Sequence, residues 1–167
     1  LNIFRDKNGI PHVESDNTAD LFRGMGIVHA TDRGTQMLLM RILGQGRTCE
    51  MLDASDDTLA VDIFFRKANW FGGTDTQLDL LPSQHQEKIE AYCDGVNSVF
   101  AKKVPWELKM LKYRHEPWVP ADCIMLMRML GYLTLSESQN HVEHLIVEMI
   151  QKGVSEEHLQ ELFPGHL

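Results

Sequence analysis

At 167 residues, 43% hydrophobic and 24% charged, the chain is long enough for one domain or one large subunit with a core of its own. A formal net charge of -8 argues against general affinity for nucleic acid or anionic membranes. No apolar run reaches bilayer length, and the first residues lack a basic stretch followed by an apolar one, so no signal peptide is expected here, as would also hold for a processed secreted chain.

In chain order, residues 2–6 and 10–14 are short β-like runs around the turn-forming Lys7-Asn8-Gly9, which predicts a hairpin or a strand that joins a sheet built elsewhere. Two strands alone are marginal in water, so the hairpin already hints at an incomplete fold. Asn17 or Thr18 caps a helix with Asp20 in its first turn. Gly24 and Gly26 weaken that helix and mark either a break or a close backbone approach. A stronger helix is expected over 30–43, ending at Gly44-Gln45-Gly46. Residues 53–57 read as a polar loop, and 58–70 as a helix closed by Gly72-Gly73.

Pro82 opens the cleanest helix, whose apolar face carries Ile89, Tyr92, Cys93, Val96, Val99 and Phe100 at spacings of three and four. Gly95 reads as a flank position that costs this helix stability. Pro105, Pro117 and Pro120 bound an irregular connector containing Trp106 and Trp118. Pro120 suits the first turn of a long apolar helix running from Asp122 towards Leu135 or on to Gln151. A short helix over 155–163 ends at Pro164-Gly165. No repeat or low-complexity tract interrupts this mainly α chain with its small N-terminal β-hairpin.

Candidate chemistry concentrates in residues 26–50, where His29, Asp32, Arg33, Arg41, Arg47 and Glu50 crowd one helix and its exit. Histidine is the usual general base, which makes His29 a candidate, but no nucleophile stands at readable spacing, and a hydrogen-bonded core histidine is expected. Neighbouring helical residues point to different sides and arginine cannot act as a base at working pH, so the charged residues read as buried ion pairs that fix the helix. His141 and His144 share a helical face and could ligate a metal with Glu137 or Glu148, or simply form a solvated face. Cys49, Cys93 and Cys123 are odd in number and widely spaced, which fits buried or boundary thiols better than a zinc cluster or a disulfide scaffold. No GxSxG, HExxH, P-loop or GxGxxG motif occurs.

Arg5-Asp6-Lys7-Asn8-Gly9-Ile10-Pro11-His12-Val13 looks like the N-terminal RD-x-x-G-(V/I)-P-H-(I/V) signature of the penicillin acylase (penicillin amidase) family. Gly26-Ile27-Val28-His29-Ala30-Thr31-Asp32-Arg33, with Gln36-Met37 and Arg41, resembles G-Y-x-H-A-x-D-R-x-x-Q-M-x-x-x-R, and Gly46-Arg47 with Glu50 continues it. Asp62 and Arg66, then Tyr92-Cys93-Asp94-Gly95-Val96-Asn97, then Pro105 and Leu108, then Glu116-Pro117-Trp118-Val119-Pro120-Ala121-Asp122, are similar to later segments in the same order.

The resemblance implies an N-terminal nucleophile hydrolase, made as a precursor that cuts itself into a small α chain and a larger β chain. The catalytic serine begins the β chain and uses its own α-amino group as base, so no catalytic residue is expected in this chain. An α chain of this family is mostly helical and lends strand to an αββα sandwich. It also supplies one wall of the acyl pocket, which by position falls on 129–135, with Gly131, Tyr132 and Leu135 nearest the lining. His29, Asp32, Arg33, Arg41, Arg47 and Glu50 become scaffold. Some members bind calcium through a glutamate that aligns near His141; histidine suits that ion poorly, so no metal ligand is expected here, and calcium would belong to the β chain. The implied partners are the β chain and an acyl amide, an N-acyl homoserine lactone or a β-lactam, with no nucleic acid and no membrane. A periplasmic or extracellular setting goes with this. The alternative is a helical subunit that binds a partner without chemistry.

Overall fold

The computed structural model describes residues 1–164, apart from the side chain of Glu137. It divides into two compact units, Leu1–Arg128 and a second beginning at Met129. In the first, β1 (Asn2–Arg5) and β2 (Pro11–Glu14) pair antiparallel, with Ile3 opposite Val13 and Phe4 opposite His12. Asp6 closes the turn by accepting from the N–H groups of Asn8 (2.8 Å) and Ile10 (2.9 Å), while Gly9 takes the left-handed φ of 80° that the turn needs. The hairpin leaves Ile3, Phe4 and Ile10 exposed.

Helix α1 (Thr18–Gly44) is capped by Asn17, whose side chain accepts from Ala19 N at 2.8 Å. The break offered at Gly24 or Gly26 does not occur; the non-helical residue is Arg33, at φ -129°, ψ 17°. The two glycines serve the close-approach alternative. A Cβ on Gly24 would lie 2.4 Å from Val13 Cγ1 of the hairpin, and one on Gly26 would lie 2.2 Å from the carbonyl oxygen of Tyr92.

Tyr92 belongs to α5 (Ser83–Phe100), and the contact is reciprocal: a Cβ on Gly95 would fall 2.0 Å from the carbonyl oxygen of Arg23. Gly95 is therefore buried at the α1–α5 crossing and not on a flank, because the two backbones touch where both side chains are missing. Around this crossing Ala30, Leu38, Cys93, Val96, Phe100, Leu108 and Trp118 form the core.

Between these helices lie α2 (Thr48–Met51), α3 (Asp56–Ala68) and α4 (Thr74–Asp79). Ser55 and Thr58 form a capping box, so α3 starts inside the expected polar loop. It ends at Asn69 in the left-handed conformation, before Gly72-Gly73, since asparagine tolerates that region. The connector after α5 holds one short helix that periodicity did not indicate, α6 (Trp106–Met110). Helix α7 (Pro120–Gln151) gives its first residues to the first unit and the rest to the second, and Pro120 is its first residue as expected. In the second unit α8 (Glu156–Leu162), capped by Ser155, buries Leu159, and α7 buries Ile146. Its predicted stop at Pro164-Gly165 falls partly outside the described residues.

Candidate functional site

The buried face of α1 is written in steps of four, Gly26, Ala30, Gly34, Leu38 and Ile42, which turns residues 29, 32 and 33 outward. His29, Asp32, Arg33 and Glu50 are exposed, contrary to the expectation of a core histidine and buried ion pairs. His29 Nδ1 lies 3.1 Å from the hydroxyl of Tyr92, whose pKa is pushed up mainly by burial. Asp32 pairs with Arg5 of the hairpin, tying β1 to α1. Arg33 forms no ion pair among the described residues; it lies at the non-helical position, on an open groove of about 510 Å³ shared with Thr35, Lys103, Trp106 and Glu107.

Arg41 alone among these charges is fully inside, at 2% exposure. Its guanidinium donates to the carbonyl oxygens of Pro117 (3.0 Å) and Glu116 (3.1 Å), to Asp122 Oδ2 (3.3 Å) and to the Tyr113 hydroxyl, and it lies 5.4 Å from the centre of the Trp118 ring. Burial pushes the Asp122 carboxyl up, against the N–H of Val119 and the charge of Arg41, and Gln45 donates to its other oxygen at 2.9 Å. Asn97 holds the next residue at both ends, donating to Trp118 O (2.9 Å) and accepting from Trp118 N (2.7 Å).

Arg47 sits between two carboxylates. It meets Glu50 at 2.7 and 2.8 Å and Glu116 at 2.7 and 2.8 Å, both bidentate. These hydrogen bonds hold both carboxyls below the usual range. Behind this cluster Asp62, at 4% exposure, accepts from Thr48 N (2.7 Å) and Cys49 N (2.8 Å), the first amides of α2. Burial works against its charge, but these amides outweigh it and leave the carboxyl below its ordinary value. Arg66 Nε donates to Gly46 O at 2.8 Å. Each of these charges is met by backbone groups, counter-charges, the Tyr113 hydroxyl, the Gln45 amide or the Trp118 ring, and the network fixes the exit of α1 to α3 and to the start of α7.

Sequence reading did not foresee the parts played by Tyr113, Gln45 and Asn97. The order of the motif segments, which placed Asn97, Glu116 and Asp122 in one set, carried a signal for Asn97, and nothing in it singled out Tyr113 or Gln45.

In the second unit Leu135 is 67% exposed and lines an open groove of about 590 Å³ with Val142, Glu143, Ile146 and Phe163. Gly131 and Tyr132 are not in that lining, and a Cβ on Gly131 would meet nothing within 4 Å. Arg128, the arginine nearest these positions, is committed to the carbonyls of Trp70 and Gly72 (both 2.8 Å) and to Gln77. His141 and His144 are exposed on α7, and among the described residues no three His, Cys, Asp or Glu side chains are placed to hold a metal. An imidazole at position 141 does not fit a hard, oxygen-seeking cation. No described helix is long and apolar enough to cross a membrane.

The family model described as penicillin amidase matches residues 1–166. Penicillin acylase 2 proenzyme of Pseudomonas sp. (strain SE83) is 35% identical over 80% of this chain and 17% of its own length. The acyl-homoserine lactone acylase QuiP of Pseudomonas syringae pv. syringae is 31% identical over 99% of this chain and 20% of its own. Among solved structures, a chain of the thermostable penicillin G acylase from Alcaligenes faecalis superposes with a TM-score of 0.73 at 22% identity, covering 97% of this chain and 90% of that one. The chain thus spans about a fifth of the length of the relatives it matches by sequence.

Proposed function

This chain belongs to the penicillin amidase family, and from that premise we propose that it is the α subunit of a self-processed acylase that hydrolyses a linear amide, either an N-acyl homoserine lactone or a β-lactam side-chain amide. The observation that carries this reading is one of lengths: nearly all of this chain matches about a fifth of acylases that are far longer, one of them described as a proenzyme. The larger β chain of the same precursor supplies the chemistry. The hydroxyl of its N-terminal serine attacks the amide carbonyl, and its α-amino group takes that proton and returns it to the leaving amine. The acyl-enzyme is then hydrolysed by water, with oxyanion donors also on the β chain.

The present chain contributes structure and shape. Its charged residues at 41, 47, 62, 116 and 122 are engaged as caps and bridges, and none is left as nucleophile or base. Gly131, Tyr132 and Leu135 supply part of one wall of the acyl pocket; of the three, Leu135 alone lines the apolar groove beside Val142 and Ile146, which favours an apolar acyl chain, since transfer free energy scales with apolar area removed from water. Any calcium belongs to the β chain. The hairpin adds to the partner's sheet, and the assembled enzyme works in the periplasm or outside the cell.

The test is the N-terminal residue of the larger chain that co-purifies with this one, followed by assays on a panel of acyl amides. A leading Ser, with Thr or Cys as chemical equivalents, and turnover of linear acyl amides are expected. Any other leading residue overturns the catalytic reading and leaves a helical, partner-binding subunit.

A further inference from the structure

Cys93 and Cys123 are 30 positions apart in the chain, yet their sulfurs lie 3.8 Å from each other, one on α5 and one on the first turn of α7. Their surroundings are unequal. Cys93 is 4% exposed within the core cluster, whereas Cys123 is half-buried and receives a hydrogen bond from Trp118 Nε1 at 3.4 Å. Cys49 stands apart on α2, with Thr58 Oγ1 at 3.3 Å as its neighbour.

We propose that Cys93 and Cys123 are a site of thiol–disulfide exchange, at which a disulfide oxidant, either a small-molecule disulfide or a protein disulfide, joins α5 to α7. Closing the contact from 3.8 Å to a bond of about 2.05 Å asks the two sulfurs to approach by about 1.8 Å. The order of events follows from the surroundings. The Cys93 thiol first, and the indole N–H after it, stabilise negative charge on Cys123, whose pKa is lowered, while the contact with Cys123 and then burial push Cys93 up. Cys123, partly accessible, therefore attacks first as thiolate. It bonds to one sulfur of the oxidant and expels the other as a thiolate, leaving a mixed disulfide. Cys93 then loses its proton and attacks the Cys123 sulfur, releasing the second half of the oxidant as a thiolate. In balance, two thiols and one oxidant disulfide become one protein disulfide and two free thiols. The closed bond spans the connector that carries Trp118 and the partners of Arg41, so it restrains the unfolded chain around the most heavily bridged part of the first unit.

The experiment uses the complete processed protein, purified without reductant and then exposed to excess oxidised glutathione. Free thiols are alkylated under denaturing conditions before a non-reduced peptide map. The expected result is a cross-linked pair of peptides containing Cys93 and Cys123, two hydrogens lighter than the separate peptides and lost on reduction, with Cys49 alkylated. Reduction is also expected to lower the Tm of the wild type by several degrees and to leave Cys93→Ser and Cys123→Ser unmoved. Recovery of both Cys93 and Cys123 as alkylated thiols after the oxidant, or a cross-link to Cys49 instead, overturns the proposal. Should either serine variant fail to fold, the wild-type map still decides.

Discussion

Arg47 holds two carboxylates that would otherwise repel each other across a half-buried gap. Arg47→Ala removes four charge-assisted hydrogen bonds and leaves Glu50 and Glu116 facing one another, a loss of roughly 1–3 kcal/mol of stability. The expected outcome is a lower Tm and impaired maturation of the precursor, with the fraction that does mature turning over normally; normal processing with abolished turnover would assign Arg47 to the chemistry instead. A pH series sharpens this. Both carboxyls are held below their ordinary value of 4.5, chiefly by Arg47, so their stabilisation is complete above about pH 4.5 and disappears as the pH falls through the lowered folded values. The Tm gap between wild type and Arg47→Ala should therefore narrow on acidification below about pH 4.5. His115 adds a loss beginning below its ordinary 6.5, because burial disfavours its charged form, and that loss should persist in the variant. A gap that stays constant down to pH 3 would remove the bridging role.

At the level of elements, the crossing of α1 and α5 rests on two missing methyl groups. Gly26→Ala or Gly95→Ala would set a Cβ 2.2 or 2.0 Å from a backbone carbonyl oxygen, which no rotamer change relieves, so the helices must separate. A loss of about 3 kcal/mol or more is expected for either, at the upper end of overpacking costs. Gly131→Ala is the contrasting case: its Cβ meets nothing within 4 Å and the helix gains about 1 kcal/mol of propensity, so its Tm should hold or rise. Equal destabilisation at all three sites in thermal melts would contradict the crossing. These glycines also show what local sequence could and could not tell. Gly24 and Gly26 were legible as weak points or close approaches, but the choice between them depends on Val13 and Tyr92, and nothing within a helical turn reports those partners. The hairpin turn, the Asn17 cap and the Pro120 start were legible because each is decided by a few adjacent residues. Arg41 was legible as part of a charged set, yet its carboxylate partner lies 81 positions away, so its burial was not separable from the exposure of His29 and Asp32. The motif order brought those distant residues together where periodicity could not.

For the molecule as a whole, the exposed apolar residues argue hardest that the chain does not act alone. Ile3, Phe4 and Ile10 stand out on a two-stranded hairpin that has no third strand among the described residues. On α3, Leu59, Val61, Ile63 and Phe64 are exposed, and the second unit exposes Leu133, Leu135, Leu145, Val147 and Ile150 along α7. Single exposed apolar residues are ordinary on a soluble protein, but successive ones on a helix or an unpaired strand mark surfaces that another element covers. A two-stranded hairpin is also marginal without further pairing. Produced without the rest of its precursor, this chain should bind a hydrophobic dye strongly, self-associate in sedimentation and melt without a sharp transition. Co-produced with the larger chain, it should lose the dye signal and melt cooperatively. The outcome that would sink the subunit reading is a lone, dye-negative monomer with a sharp melt, because such a chain would already satisfy every surface that the proposed β chain is supposed to cover.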